Sequence, residues 1–300
     1  MKSGSVIYIS NEDISVVTAE AKRDVLRVED YFKIPLREGT MLNGVIIDDQ
    51  ELKRCLKEVY DQGIHQASLI VDSAKILAKS ASIPKMKEKE IIQFVKDELS
   101  SIDNNSEDVV YDFAYLGEDD SAKGASKILC VGVERQFISN YLDVFNEVGI
   151  AIEHIDYAIN VLITLVKGLH GFIDKTYAIS QIDGQNLISV LFINNEYALT
   201  NRSRIFATKG TLEFDNEIIN AVSQLKQFAS SSQQDLPMSD IYFFGLTREE
   251  EIQVFERINT TLNLTASRLP NSKAIYAVKN YDNQFDVNDY AYPIGYLKGK

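Results

Sequence analysis

The chain has 300 residues, enough for one large domain or two ordinary ones with sizeable cores. Hydrophobic residues make up 45% and charged residues 25%, which excludes wholesale disorder, and there is no apolar run long enough to span a bilayer. A net charge of −13, from 44 acidic and 31 basic residues, repels nucleic-acid phosphates and anionic headgroups. Nucleic acid is therefore not an expected partner, and any membrane association is expected to run through a protein.

The N-terminus, Met1-Lys2-Ser3-Gly4-Ser5, leads into the apolar run Val6 to Ile9, which is too short for a secretory segment, so a cytoplasmic protein is expected. Val6 to Ile9 and Ile14 to Val17 read as strands of a hairpin about the polar turn Ser10-Asn11-Glu12-Asp13. Asp49 is placed to cap a helix with Leu52, Leu56 and Val59 on one face and Gly63 as its stop, followed by the buried strand Leu69-Ile70-Val71. After Ser80, Ser82-Ile83-Pro84-Lys85-Met86 leads into a helix striped by Ile91, Phe94, Val95 and Leu99, and a polar loop runs to Asp108. Strands Val109 to Leu116 and Ile128 to Val133 flank the acidic turn Gly117 to Gly124, and a helix with Phe137, Tyr141, Val144 and Val148 inward ends at Gly149. Helix, two strands and helix make a small subdomain.

A strand from Ile150 and an apolar helix, Tyr157 to Leu169, follow. A second hairpin pairs Tyr177 to Ile182 with Leu187 to Ile193 across Asp183-Gly184-Gln185-Asn186, and a strand at Tyr197 to Arg202 extends it. Next come a helix with Phe214, Ile218, Val222, Leu225 and Phe228 inward, the polar loop Ala229 to Asp235, strand Ile241 to Phe244, and an acid-started helix, Arg248 to Leu262. The tail from Asn288 to Leu297 is apolar and aromatic.

Two segments thus open with a hairpin whose tip is short and polar, and each continues into strand–helix units. An actin-type ATPase is built this way, with both tips holding phosphates. Two unrelated α/β halves would give the same pattern.

The middle of the chain carries a more specific signal. "ILAKSASIPKMKEKEIIQFVKDELSSI", "VVYDFAYLG" and "KILCVGVERQFISNYLDVFNEVGIAIEHID" resemble the pilus-assembly family PilM, which groups with FtsA among bacterial actin-like proteins. The features are Ile-Pro-x-Met-x-x-x-Glu at Ile83 to Glu90, Tyr111-Asp112, the helix ending at Gly149, and "DYAYPIGYLKG" at Asp289 to Gly299. Cytoplasmic domains of type II secretion are related to the same family.

The resemblance implies an α/β, actin-like (ribonuclease H-like) two-lobed fold with a small α+β subdomain inserted in the first lobe. The expected division is residues 1–80 and 150–174 for the first lobe, 81–149 for the insert, 175–287 for the second lobe, and 288–300 for a helix returning to the first. It further implies a cytoplasmic scaffold of the type IV pilus platform. Such a scaffold binds the N-terminal peptide of a PilN-like membrane protein near the insert and contacts the assembly ATPase and the platform protein. Ile83, Pro84, Met86, Ile91 and Phe94 lie where that groove would be, although for any single one of them simple core packing of a helix stripe is the better account.

A phosphate loop needs glycine for close approach, free N–H groups and a carboxylate to hold Mg²⁺. Against the family's Asp-Ile-Gly-Ser-Ser, this chain has Tyr8-Ile9-Ser10-Asn11-Glu12, so the metal-associated Asp is Tyr8 and the Gly is Ser10. Each added unit charge near a phosphate repels it by ~1 to 4 kcal/mol at short range, and Glu12 and Asp13 stand at this tip. The second motif falls at Ser180-Gln181-Ile182, and only a register shift would bring Asp183-Gly184-Gln185 into its place. In the adenosine region Phe244 precedes the single Gly245 and would crowd a purine.

No cofactor and no enzymatic activity are therefore expected. A working ATP–Mg²⁺ switch in pilus or type II secretion assembly stays open through the register shift. An FtsA-like filament former is a further alternative, though the chain reaches Lys300 without an amphipathic membrane helix. His65, His154 and His170 share no metal-ligand spacing, no metal site is expected, and Cys55 and Cys130 read as buried thiols. Asp72 ends a strand, where an aspartate usually caps a turn.

Overall fold

A computed structural model describes residues 3–22, 25–100, 108–119, 124–167, 169–232, 236–270, 276–278 and 284–300. The polar segments at 101–107, 120–123 and 233–235, read as parts of loops, lie outside the described residues. The elements begin with β1 (Gly4–Ile9), β2 (Asp13–Lys22), β3 (Val25–Pro35), β4 (Met41–Leu42), β5 (Val45–Ile46), α1 (Asp49–Asp61) and β6 (Gln66–Val71). Then come β7 (Leu77–Ile83), α2 (Glu88–Ser100), β8 (Val109–Asp119), β9 (Ala125–Glu134), α3 (Arg135–Val148), β10 (Ala151–Tyr157) and α4 (Ala158–Lys167). The remainder is β11 (Thr176–Asp183), β12 (Asn186–Ile193), β13 (Glu196–Arg204), α5 (Leu212–Ser231), β14 (Met238–Phe244), α6 (Arg248–Leu262), β15 (Thr265–Arg268), β16 (Tyr276–Val278) and α7 (Ala291–Lys298).

The chain packs as two compact units. One comprises Ser5–Ile14 and Lys33–Ile163; the other comprises Met1–Gly4, Ser15–Phe32 and Thr164–Lys300.

In the first unit β6 lies between β10 and β1 and runs parallel to both, with Val6 opposite Ser68 and Ile155 opposite Leu69. Ala67 to Val71 are buried one after another, as expected of a parallel strand covered on both faces. α1 buries Leu52, Cys55, Leu56 and Val59. Its cap is Asp48, not Asp49: Asp48 is extended and its carboxylate accepts the Glu51 N–H at 3.0 Å. Asp49 sits inside the first turn, where its charge suits the helix dipole.

The inserted subdomain is a three-stranded antiparallel sheet of order β7-β9-β8 with α2 on one face. Ile83, Ile91, Val95, Leu99, Ile128 and Cys130 form its core. The sequence pattern disclosed only two of these strands. β7 is rich in Ala, Ser and Lys, so its alternation carries little hydrophobic contrast.

In the second unit the sheet order is β13-β12-β11-β14-β15, with β12 antiparallel to β11 and β13, and β14 parallel to β11 and β15. α5 and α6 supply Phe214, Ile218, Val222, Leu225, Val254 and Ile258 to its core. β2, β3 and β16 lie side by side, β16 parallel to β3. α6 starts with a capping box between Thr247 and Glu250. α5 runs to Ser231, past the expected loop start at Ala229, because Ser230, Ser231 and Ser232 donate their hydroxyls to carbonyls of the last turn. Phe228, read as inward, is 47% exposed: Leu225 and Ala229 take the core side of that turn.

Candidate functional site

β1 ends in a turn closed by its own side chain. The Ser10 N–H donates to the Asp13 carbonyl at 2.9 Å. The Ser10 hydroxyl accepts from the N–H groups of Glu12, at 3.1 Å, and Asp13, at 2.9 Å, and donates to the Asp13 carbonyl at 3.1 Å. A phosphate bound here would need those same N–H groups, so it would have to displace the hydroxyl from both. Tyr8, two residues earlier, is buried in β1 opposite Ile70. The Asp13 carboxylate pairs with Lys33 at 3.2 Å, and the Glu12 carbonyl accepts the Leu36 N–H at 2.8 Å.

The turn is also held from outside, by a short hairpin about 30 residues further along the chain. β4 and β5 form a minimal hairpin with Leu42 opposite Val45. Its loop residues Asn43 and Gly44 both have positive φ, 51° and 74°, the pattern of a I′ turn. The Asn11 side chain accepts the Asn43 N–H at 2.9 Å. The Ser73 hydroxyl donates to the Asn43 carbonyl at 2.7 Å, and the Tyr141 hydroxyl of α3 donates to the Gly44 carbonyl at 2.6 Å. A Cβ on Gly44 would lie 1.7 Å from the carbonyl oxygen of Asp72. Asn-Gly is a strong short-range hairpin signal, and here it was masked by flanking strands only two residues long.

The turn after β11 has a different construction. Asp183 faces Asn186 across a two-residue loop in which Gly184 has φ 60° and Gln185 is not left-handed, the II′ pattern. The Gln185 side chain accepts from Arg204 at 3.0 Å. Asp183 is buried. Gly245 follows β14 with φ 86°, and a Cβ there would lie 2.0 Å from the Ile182 carbonyl oxygen. Close backbone packing thus accounts for this glycine without a ligand. Phe244 is buried edge-on against Tyr292 of α7, ring centroids 5.5 Å apart. The Tyr292 hydroxyl donates to the Gln181 side chain at 2.8 Å, so aromatic side chains already pack around the end of β14.

The five residues read as a peptide groove divide. Ile83 and Ile91 are in the core of the insert, Met86 and Phe94 are half-buried at its margin, and Pro84 is exposed. A separate hollow of about 260 Å³ opens at the root of the insert, lined by Ala74, Lys75, Leu77, Val109, Gly132, Val133 and Glu134. Its apolar lining comes from β7, β8 and β9, with the Lys75 and Glu134 charges exposed. No motif announced it, because it is assembled from the ends of three strands distant in sequence. At the end of β10, burial raises the Asp156 carboxyl above its ordinary value and Asp112 adds to the shift. Hydrogen bonds from the Asn160 side chain and the Tyr157 N–H act against it.

Comparison with known proteins places these features in context. The family model described as type IV pilus assembly protein PilM matches residues 6–242. No curated protein matches the chain. Among solved structures, a PilM–PilN type IV pilus biogenesis complex superposes with a TM-score of 0.78 at 13% identity, covering 98% of this chain and 96% of that one. A Bacteroides thetaiotaomicron protein of unknown function with an actin-like ATPase fold gives 0.54 at 10% identity, covering 98% and 95%. The ethanolamine utilization protein EutJ from Carboxydothermus hydrogenoformans gives 0.54 at 8% identity, covering 99% and 90%. The fold is therefore actin-like, two-lobed, with the small α+β insert.

Proposed function

The chain belongs to the PilM family of type IV pilus assembly proteins, and we propose that within that assembly it is a non-catalytic cytoplasmic scaffold. In this reading it holds the N-terminal segment of a PilN-like membrane protein at the hollow beside the insert, and the assembly ATPase and platform protein are its further partners. Membrane attachment then comes through those partners, consistent with the absence, among the described residues, of any helix long and apolar enough to cross a membrane.

The observation that carries the proposal is the Ser10 hydroxyl, which takes both N–H groups that a phosphate would use. In this reading the partner is held away from the phosphate turns, at the insert. The hollow suits a peptide better than a nucleotide: at about 260 Å³ it falls below the roughly 300–1,000 Å³ of pockets that enclose a whole drug-sized ligand. Leu77, Val109 and Val133 offer contact to an apolar anchor side chain, and Lys75 and Glu134 offer charged contacts to the segment's polar groups.

Calorimetric titration with a synthetic peptide matching the N-terminus of the neighbouring PilN-like protein tests the reading. Saturable binding is expected, weakened about tenfold or more in Leu77→Glu, where the apolar contact becomes a buried charge. An unchanged affinity in the variant, or no binding to the wild-type protein, removes the hollow as the site.

A further inference from the structure

The hollow has one wall that does not belong to the insert's sheet: Ala74 and Lys75, which directly follow Ser73. Ser73 is 1% exposed and organises this wall. Its hydroxyl accepts the Lys75 N–H at 3.2 Å and its carbonyl accepts the Ile76 N–H at 3.2 Å, which folds residues 73–76 back on themselves. The same hydroxyl donates to the Asn43 carbonyl at 2.7 Å. Asn43 in turn gives its N–H to the Asn11 side chain, and Gly44 gives its carbonyl to Tyr141 of α3. Gly44 also packs directly on the Asp72 carbonyl, where no side chain fits. One small hairpin thus touches three things at once: the Ser10–Asp13 turn, the wall of the hollow, and the last helix of the insert.

We propose that the Asn43-Gly44 hairpin is a positioning element that pre-forms the partner hollow, with Asn11, Ser73 and Tyr141 as the residues through which it acts. The inference rests on the hollow being the partner site. It adds a role for the Ser10–Asp13 turn. That turn anchors, through Asn11, the hairpin that sets the Lys75 wall, so the hollow is held ready without a bound nucleotide. Pre-organisation of this kind raises affinity by removing the ordering cost from the binding step.

Both ends of the chain of contacts can be cut. Ser73→Ala removes the hydroxyl beside the hollow, and Asn11→Ala removes the acceptor on its far side. Ser73→Thr and Asn11→Asp keep the hydrogen-bonding atoms. In native-state hydrogen exchange, the Lys75 and Ile76 amides should exchange about tenfold faster in both alanine variants and near wild-type rates in the conservative ones. Peptide affinity should fall about tenfold in Ser73→Ala, measured well below its melting temperature, and within about twofold in Ser73→Thr. Asn11→Ala and Ser73→Ala should couple in a double-mutant cycle, since they cut one path.

If Asn11→Ala leaves the Lys75 and Ile76 amides at wild-type rates, the positioning role is overturned, whatever the peptide does. Alanine variants that lower the melting temperature without changing peptide affinity overturn it too, since that is what a merely structural role would give. A wild-type protein that binds no peptide removes the hollow as partner site, and the exchange rates then decide the hairpin's role by themselves.

Discussion

The two hairpin tips, Ser10–Asp13 and Asp183–Asn186, differ in what holds them. The first is stitched by the Ser10 hydroxyl and braced by Asn11 against the Asn43-Gly44 hairpin, which is itself pinned by Ser73 and Tyr141. The second is a two-residue hairpin whose only glycine supplies a positive φ, with Arg204 reaching Gln185 across its surface. In an actin-like ATPase both tips would answer to one ligand. Here one is a structural joint closed by its own side chain and the other an ordinary two-residue turn.

Glycine replacements should break the comparison most sharply. Gly44→Ala places a Cβ against the Asp72 carbonyl in a left-handed residue and should cost about 3 kcal/mol or more in urea unfolding. Gly184→Ala places a side chain at the positive φ of a II′ turn and should cost about 1–2 kcal/mol. Equal losses would mean that the Asn43-Gly44 brace carries no special weight.

Side-chain removal should give a smaller contrast in the same direction. Ser10→Ala leaves two N–H groups at the turn without their acceptor and should cost about 1–2 kcal/mol. Gln185→Ala loses one exposed contact to Arg204 and should stay within about 0.5 kcal/mol. A larger loss at Gln185 than at Ser10 would reverse the assignment of joint and ordinary turn.

The weakest expected effect is electrostatic and lies in the same unit as the first tip. The folded-state value of the Asp156 carboxyl is raised above the ordinary 3.8, first by burial and then by Asp112. A raised acid contributes stability that is fully present below the unfolded value and is lost as pH rises through the folded one. Asp156→Asn keeps an oxygen to accept from Asn160 and the Tyr157 N–H while removing the charge. Its melting temperature should exceed wild type slightly at pH 7, by about 1 °C or less, and the gain should vanish as the pH falls below the ordinary carboxyl value. A gain that persists in acid would assign the effect to packing.

Those contrasts also show which parts of the molecule were legible beforehand. α6 could be read to the residue from its acid-rich first turn, to which the structure adds the Thr247 cap. The hairpin strands β11 and β12 were legible for the same reason: β-branched and aliphatic residues flank an Asp-Gly turn. β3, β7, β15 and β16 were not. β15 and β16 span only four and three residues, and β7 alternates Ala and Ser with little contrast between faces. At the candidate site, the replacements at Tyr8, Ser10 and Phe244 were visible in the sequence, but what the new residues do was not. That Ser10 caps its own turn, and that Asn43 links Asn11 to Ser73, depends on approaches between segments about 30 residues apart, as between Asn11 and Asn43. Periodicity reports which face of an element is buried and carries no information on such contacts.

The most direct test of the central claim is a thermal melt of the wild-type protein across a Mg-ATP titration. A ligand bound only by the folded state stabilises it by ~2.7 kcal/mol at a hundredfold excess over its dissociation constant. The Ser10-closed turn predicts a melting temperature that does not move through millimolar Mg-ATP. A saturable, concentration-dependent rise would show that the turn opens to receive phosphate, and would contradict the scaffold reading.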